Sequence, residues 1–208
     1  MFRWSGTDFS TRPHYYAYGL MTKCFRGPAT VFEVSCNDPR LRVCALRNSV
    51  TESYSIAVIS RNVQDVRLAL TVKGLSPDLR LRKYVYDPKH PPVNPFGDLR
   101  GPAGVVRLRG GKLGVAVAAG TLTVYTTAYH DQAPSPVTNV RVERNAEGQA
   151  VVKWDAPPEP DIAYYRVYAG DTQIVSTVAT QYTDKQGAEG RQYKVVAVDD
   201  SGNTSRER

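Results

Sequence analysis

Acidic side chains that could serve as a catalytic acid or nucleophile are scarce in the first 130 residues of this 208-residue chain. Glu33 and Glu52 are the glutamates of that stretch, the first in a predicted strand and the second in a Thr-Glu-Ser turn. We expect Asp8, which precedes a predicted helix, to be a turn or cap residue. We expect Glu33 to form a cross-strand ion pair with an arginine of the next strand. The arginines available there are Arg40, Arg42 and Arg47.

The sequence also contains three cysteines and three histidines, which could form disulfides or bind a metal. They are Cys24, Cys36, Cys44, His14, His90 and His130. An odd number of cysteines does not close as a pure disulfide framework, and the spacings fit no zinc ligand pattern. The sequence therefore predicts no metal and no cofactor. We interpret His90 as loop structure, because no His, Cys or Asp lies at ligand spacing from it.

The cysteines leave two alternatives open. Cys36 and Cys44 flank an Asn-Asp-Pro turn and could face each other across a hairpin. In the other alternative, which we expect, all three cysteines are buried free thiols that act as small hydrophobic residues. The redox compartment of the protein stays undetermined in either case.

Signatures of other protein classes are missing from the sequence. It contains no Gly-x-Ser-x-Gly nucleophile motif, no Walker loop and no dinucleotide fingerprint, and its Arg-Gly-Gly-Lys run at 109–112 predicts a hairpin turn. No apolar run approaches the ~20 residues of a membrane helix, and the first residues form no apolar leader. We therefore expect no membrane partner and no signal peptide in this chain.

The hydrophobic pattern predicts one helix followed by strands. Residues 13–27 carry an apolar stripe at helical spacing, with Ser10 and Thr11 as cap candidates. Apolar and polar residues then alternate. The predicted strands of the first part are 30–35, 41–48, 54–61, 66–72, 79–86, 104–108, 113–118 and 121–129. Those of the second part are 137–143, 150–154, 163–169, 173–177, 181–183 and 192–198. The pattern predicts an all-β protein, with two antiparallel β-sandwiches in tandem and one N-terminal helix.

Net charge divides the chain at a proline-rich segment. The formal net charge is +7, with 18 Lys and Arg against 9 Asp and Glu up to Ala133, and 9 against 11 from Pro134 onward. A composition shift of this size predicts a linker between two domains. We place this linker at residues 132–136.

The strands after the linker carry a set of motifs that occur together. They are an opening Pro-Val-Thr-Asn-Val, Trp154 ahead of a proline-rich turn, a Tyr-Arg-Val-Tyr run and a closing Tyr-Lys-Val-Val-Ala-Val-Asp run. Residues 136–205 thereby resemble a fibronectin type III domain, which has an immunoglobulin-like fold. The resemblance implies that Trp154 fills the core and that Tyr193 is a buried ring with a tethered hydroxyl. We expect Tyr164 and Tyr168 to pack rather than to stack on a sugar, and the module to be a spacer.

The helix and the strands before the linker carry a second pattern. It comprises Tyr-Tyr-Ala-Tyr-Gly-Leu-Met-Thr-Lys-Cys-Phe-Arg-Gly at 15–27, the strands 43–48 and 54–62, and the terminal strand 122–129. These segments resemble the last barrel helix and the C-terminal β-sandwich of clan A retaining glycoside hydrolases, as in families 30, 39 and 79. The two resemblances together imply four segments. They are a barrel-derived strand stub and helix (1–27), a glycoside-hydrolase-type C-terminal sandwich (28–131), the linker (132–136) and a fibronectin type III domain (137–208).

The second resemblance also bears on activity. Retaining hydrolysis needs two carboxylates ~5–5.5 Å apart, and in clan A both lie on barrel strands that precede the matched region. The resemblance therefore implies a non-catalytic accessory region that supports and spaces a catalytic (β/α)8 barrel in polysaccharide degradation. We expect the chain itself to be no enzyme. The parent protein is expected to be extracellular or periplasmic.

Three residues are candidates for contact with a polysaccharide. Trp4 lies where clan A enzymes often place a sugar-binding aromatic, and its alternative is a capping role. Arg80 and Arg82 point to one strand face of the basic domain. That face is either solvated, paired with acids of a neighbouring barrel, or bound to a uronate-rich polysaccharide. No nucleic-acid motif accompanies it, and we expect no nucleic-acid partner. The alternative function is a free-standing carbohydrate-binding or cell-surface adhesion protein.

Overall fold

The computed structural model describes residues 2–5, 8–73, 78–91, 93–94, 96 and 99–207, with the backbone alone for 2–5, 8–11 and 13. The chain divides into two compact units, Met1–Tyr129 and His130–Arg208, called here the first and second units. Antiparallel strands dominate both units, which confirms the predicted all-β class. None of the helical residues described forms a segment long and apolar enough to cross a membrane.

The first unit opens with a short antiparallel hairpin. Its strands are β1 (Phe2–Ser5) and β2 (Asp8–Thr11), and Ser5 lies opposite Asp8. The predicted turn or cap role of Asp8 is wrong, because the pairing with β1 takes this residue into β2.

The one helix among the described residues, α1, runs from Pro13 to Cys24 and so ends three residues before the predicted boundary. Arg12 is the N-cap, and its side chain makes no capping hydrogen bond. The predicted caps Ser10 and Thr11 are wrong, because both residues belong to β2. Proline occupies the first helical turn, where its missing N–H costs nothing.

In the part of the first unit that the structure describes, eight strands follow the helix and form a sandwich. They are β3 (Ala29–Val31), β4 (Leu41–Asn48), β5 (Tyr54–Ser60), β6 (Val66–Thr71), β7 (Leu79–Tyr86), β8 (Gly104–Leu108), β9 (Lys112–Val117) and β10 (Leu122–Thr126). One sheet has the order β3-β4-β5-β10-β7-β8, and β6 pairs with β9 in the other. The predicted strand 30–35 shortens to β3, because only the bond from Phe32 N to Ala45 O continues the pairing beyond it.

The central strands β5 and β10 are buried on both faces. Ile56, Val58 and Tyr125 face the β6–β9 sheet and belong to the main core. Ala57 and Val124 face the other way and pack against α1. Nearly every residue of these two strands is therefore buried, which distinguishes them from strands with one solvated face.

The helix is fastened to the six-stranded sheet by packing and by hydrogen bonds. Leu20 and Cys24 are buried against it, being 3% and 4% exposed. Ser55 Oγ donates to the carbonyl oxygen of Cys24 at 2.6 Å. Asn48 Nδ2 donates to the carbonyl oxygen of Arg26 at 3.0 Å. Ser55 thus satisfies the carbonyl of the last helical residue, which has no intrahelical donor, and Asn48 holds the segment that follows the helix.

The second unit is a smaller sandwich of six strands. They are β11 (Thr138–Arg144), β12 (Ala150–Asp155), β13 (Ile162–Ala169), β14 (Thr172–Thr177), β15 (Gln181–Asp184) and β16 (Tyr193–Asp199). The two sheets have the orders β11-β12-β15 and β14-β13-β16. Trp154 of β12 and Tyr165 of β13 meet edge to face between the sheets, with ring centroids 5.4 Å apart. Trp154 is 3% exposed, as the sequence predicts.

A buried carboxylate closes one side of this sandwich. Tyr193 Oη donates to Asp184 Oδ2 at 2.8 Å, and Arg191 Nη1 lies 3.1 Å from the same oxygen. Burial, followed by the hydrogen bond to Asp184, raises the pKa of Tyr193 to about 12. The predicted tethered hydroxyl of Tyr193 is therefore present, with Asp184 as its acceptor, whereas the ring is half-buried rather than buried as predicted.

Candidate functional site

Trp4 is placed by its backbone alone. It lies in β1, opposite Phe9 of β2. Its side chain is outside the described part of the chain, so its contact with a sugar stays a prediction.

Arg80 and Arg82 lie two residues apart on β7, on the sheet face that also carries α1. Arg80 stands directly opposite Arg107 of β8, and both side chains are exposed. The guanidinium of Arg82 lies 4.1 Å from the ring centre of Tyr129, whose hydroxyl donates to the carbonyl oxygen of Arg80. Arg82 thus has a packing role, whereas the Arg80–Arg107 pair presents two like charges to solvent.

The arginines of β4 lie apart from this pair. The sheet order places β5 and β10 between β4 and β7. Arg42 Nη1 donates to the carbonyl oxygens of Pro39 and Leu41. The basic residues therefore form local groups rather than one row across the sheet.

The expected cross-strand ion pair of Glu33 is wrong. Glu33 lies beyond the end of β3, where the pairing with β4 has stopped. Arg40 instead pairs with Asp38 at 3.5 Å, and Arg47 contacts Glu52. Both acids come from turns close in sequence to their arginines.

The cysteines are unbonded and differ in exposure. Cys24 is buried, and burial raises the pKa of its thiol to about 11. Cys36 and Cys44 are both exposed. The prediction of buried thiols is therefore correct for Cys24 and wrong for the other two.

His90 has a close acidic partner that the sequence analysis missed. Its Nδ1 lies 3.0 Å from Asp87 Oδ2, and the pair sits at the surface. The hydrogen bond from the imidazole is the main reason that the pKa of Asp87 is lowered. A spacing of three residues brings the two side chains together here because the chain turns between them, with His90 N bonded to Asp87 O.

His130, in the second unit, lies among carboxylates that are distant from it in sequence. Its Nε2 is 2.7 Å from Asp161 Oδ2 and 3.8 Å from Asp199 Oδ2. Burial acts to lower the pKa of His130, but the bond to Asp161 and the charges of both aspartates outweigh it and raise the pKa. Asp199 is deeply buried, its side chain being 1% exposed.

The strand register explains why these three residues meet. Asp161 immediately precedes β13, and Asp199 ends β16, where it pairs with Ile162. The adjacent backbone bond from Asp200 N to Asp161 O holds the two strand ends together. His130 reaches them from the segment that opens the second unit.

The cluster lines an open cavity of about 380 Å³. The other residues of its wall are Gln132, Ala133, Pro134, Glu159 and Pro160. Glu159 Oε1 accepts hydrogen bonds from the backbone N and the Oγ of Ser135, at 3.1 and 2.6 Å. Glu159 Oε2 is buried and makes no hydrogen bond to any residue that the structure describes. The cavity therefore contains one imidazole and three carboxylates.

The tyrosines of β13 divide between the two faces of their strand. Tyr165 is buried in the core, and Tyr164 and Tyr168 lie half-buried on the outer face. Arg166 lies between them, with its Nη2 bonded to Tyr164 Oη at 3.0 Å. The outer tyrosines are thus part of a packed polar surface, in line with the structural role expected from the sequence.

The comparisons with known proteins find likeness in solved structures alone. No protein-family model matches the chain, and no characterised protein matches it in sequence. Three similar structures are a GH30 endoxylanase from Clostridium papyrosolvens C71, a GH30 subfamily 8 xylanase from Clostridium acetobutylicum and a bacterial orthologue of human α-L-iduronidase.

The two xylanases are 14% and 13% identical to the chain, with TM-scores of 0.45 and 0.46. They match 55% and 56% of the chain and 27% and 28% of their own chains. The iduronidase orthologue is 20% identical, with a TM-score of 0.48, and the match covers 97% of this chain and 43% of its own. The chain thus spans less than half the length of each of these glycoside hydrolases.

Proposed function

We propose that the chain is a non-catalytic accessory region of a modular glycoside hydrolase, which supports and spaces a catalytic (β/α)8 barrel. In this proposal the first unit is the barrel's last helix with a C-terminal sandwich, and the second unit is a fibronectin type III spacer. The parent protein acts on polysaccharide outside the cytoplasm.

The observation that carries the proposal is the attachment of α1. The helix buries Leu20 and Cys24 on the sheet, and Ser55 and Asn48 hold its C-terminal end. A barrel that contained α1 would therefore be joined to the sandwich through a packed, hydrogen-bonded interface. Such an interface makes the sandwich a support rather than a mobile appendage.

The opposite side of α1 supplies the surface for the rest of the barrel. Tyr15 and Tyr18 are 38% and 58% exposed and lie on the helix side away from Leu20. Large exposed aromatic residues on one helix face are typical of surfaces that are covered in the complete assembly. Val63 lies outside the helix in the first unit and is 87% exposed, so it serves as the control position for substitutions on this helix face.

The electrostatics of the carboxyl groups also fit a non-catalytic role. A glycosidase acid needs a raised pKa so that it holds its proton near neutral pH. The pKa of Asp38, Asp87, Glu143 and Glu159 is shifted, and each shift is downward. The first cause of each is a hydrogen bond, from Arg40 N, His90, Lys153 and Ser135 respectively.

The test compares this chain with the product of its gene extended upstream. We expect the upstream coding sequence to encode a barrel with an Asn-Glu acid/base motif. Tyr18→Asp should leave the melting temperature of the 208-residue chain unchanged and lower that of the extended protein by several degrees. Val63→Asp, the control, should change neither. An upstream sequence without a barrel, or an extended protein indifferent to Tyr18→Asp, would overturn the proposal.

A second candidate function rests on the Arg80–Arg107 pair. Like charges directly opposite on neighbouring strands destabilise a sheet, and an anionic ligand between them would remove that repulsion. Guanidinium groups bind carboxylates through paired hydrogen bonds. The pair therefore suits the carboxylate of a uronic acid in a polysaccharide.

Affinity electrophoresis tests the second candidate. Gels that contain polygalacturonate should retard the chain, and gels that contain neutral xylan should not. Arg80→Ala/Arg107→Ala should abolish the retardation, whereas Arg61→Ala/Arg67→Ala, an equal charge change at two exposed arginines of the same unit, should preserve it. Equal losses in both double variants would show a general charge effect and reject the site.

A further inference from the structure

We propose that His130, Asp161 and Asp199 form a binding site for a divalent transition metal ion of the zinc class within the second unit. This site is independent of the accessory role proposed above, because it requires neither a barrel nor a polysaccharide. Local spacing in the sequence predicts no metal, whereas the fold brings His130 to Asp161, which lies 31 positions away, and to the still more distant Asp199.

The donor atoms have the separations that one ion requires. One nitrogen or oxygen from each of the three side chains lies within 4.8 Å of the others. Zinc lies about 2.0–2.2 Å from imidazole nitrogen and carboxylate oxygen. Donor atoms this close together can share one ion after rotation of their side chains.

Neighbouring residues orient the donor side chains through hydrogen bonds, as residues next to metal ligands commonly do. Asn203 donates from its backbone N to Asp199 Oδ1 at 2.8 Å and from Nδ2 to Asp199 Oδ2 at 2.9 Å. The same Nδ2 also faces the carbonyl oxygens of His130 and Gln132, at 2.9 and 3.1 Å. Two amide hydrogens cannot fully serve three acceptors, so Asp199 Oδ2 keeps capacity for a cation.

The imidazole ring is held from a second side. His130 makes a hydrogen bond to the backbone of Gln132, and its own backbone N donates to Ser201 Oγ at 3.1 Å. Histidines that ligate metals are commonly oriented in this way by a backbone carbonyl at the other ring nitrogen. The ring is therefore aimed at the two aspartates before an ion arrives.

A third carboxylate, that of Glu159, lies in the wall of the same cavity as the three donors. Its Oε2 is a buried carboxylate oxygen in the wall of the same cavity, without a hydrogen-bond partner among the residues described. Oε1 of the same carboxylate accepts two hydrogen bonds from Ser135, so Oε2 is the oxygen whose acceptor capacity is left over. A dication in the cavity would offset the negative charge of Glu159, Asp161 and Asp199 together.

The donor chemistry selects the class of ion. Magnesium and calcium prefer sites built from oxygen alone. An imidazole nitrogen beside carboxylate oxygens suits zinc and its transition-metal neighbours. With three protein ligands, one position remains for water, which the open cavity admits. The ion would fasten residues 130–134, which begin the second unit, to the ends of β13 and β16.

Calorimetric titration of the full chain with ZnCl₂ tests the proposal. The background is Cys36→Ser/Cys44→Ser, so that exposed thiols do not bind the ion. We expect one zinc ion per chain, no heat of binding with MgCl₂ or CaCl₂, and a higher melting temperature of the second unit. His130→Gln and Asp161→Asn should each weaken binding at least 10-fold, and Asn203→Ala, which removes an orienting partner, should weaken it about 10–100-fold.

His90→Gln is the matched control, because it removes the imidazole of the exposed Asp87–His90 pair in the first unit. It should leave zinc affinity unchanged. Circular dichroism of each variant distinguishes lost binding from lost folding, and His130 and Asp161 are suitable because their side chains are 44% and 31% exposed. Absence of stoichiometric zinc binding, binding that survives His130→Gln, or equal loss with His90→Gln would each overturn the site.

Discussion

Ser55 donates a hydrogen bond of 2.6 Å from its Oγ to the carbonyl oxygen of Cys24, the last residue of α1. Thr126 Oγ1 of β10 lies 2.8 Å from the same Ser55 oxygen. The contact thus connects the end of the helix with the two central strands of the six-stranded sheet. Together with the Asn48–Arg26 bond it forms the polar part of an interface whose apolar part includes Leu20 and Cys24.

Removal of this hydrogen bond should weaken the first unit. Ser55→Ala leaves the buried carbonyl of Cys24 without its donor, and we expect a loss of about 1–3 kcal/mol in the free energy of unfolding. Chemical denaturation followed by circular dichroism measures it. Ser49→Ala, at an exposed serine of the turn between β4 and β5, should cost less than about 0.5 kcal/mol. Equal effects of the two substitutions would contradict the structural role of Ser55.

The apolar part of the interface gives a larger effect. Leu20→Ala creates a cavity between α1 and the sheet, and we expect a loss of about 2–5 kcal/mol. Tyr18→Ala, on the exposed side of the helix, should change stability by no more than about 0.5 kcal/mol. Denaturant midpoints of the two variants test this contrast. If Leu20→Ala lowered the free energy of unfolding no more than Tyr18→Ala does, the helix would not pack as described.

The three thiols should differ sharply in reactivity. The thiolate is the reactive form, and burial raises the pKa of Cys24 to about 11 and shields it from reagent. The native chain should therefore release two equivalents of chromophore from a thiol-specific disulfide reagent, at Cys36 and Cys44. The third equivalent should appear only in denaturant. A native count of zero would indicate a disulfide between Cys36 and Cys44 together with the buried Cys24.

The second unit should lose stability in alkali. Burial and the bond to Asp184 raise the pKa of Tyr193 to about 12, whereas an unfolded tyrosine ionises near 10. A raised folded pKa contributes stability that is complete below about pH 10 and is lost as the pH rises toward 12. Trp154 fluorescence, in a Trp4→Phe background, follows this unit.

Tyr193→Phe should reduce stability at pH 8, because Asp184 loses a hydrogen bond, and should make the alkaline loss shallower. The comparison is with Tyr168→Phe, at a half-buried tyrosine on the outer face of β13. An unchanged pH profile in Tyr193→Phe would reject the assignment of the alkaline transition to Tyr193.

The strands could be predicted closely from the sequence, because alternation of apolar and polar residues is a local signal. Strands β4, β7 and β8 have their predicted bounds. Residues 32–35 alternate equally well, yet they are not in a strand, because a strand needs a partner and the pairing with β4 ends at Val31. Local pattern carries no information on where a partner ends.

The clusters of polar residues could not be predicted in the same way. Asp161 and Asp199 meet because β13 and β16 pair with Ile162 opposite Asp199, and this register is a property of the folded sheet. His130 carries no motif that marks it in the sequence. The Arg80–Arg107 pair likewise depends on the register of β7 and β8.

Hydrolysis of aryl glycosides, measured for the purified 208-residue chain beside the product of its gene extended upstream, addresses the accessory role itself. The extended protein should release the aryl group, and the 208-residue chain at equal concentration should give no rate above the buffer. Turnover by the 208-residue chain alone, retained through repeated purification, would contradict the proposal that this region only supports a catalytic barrel.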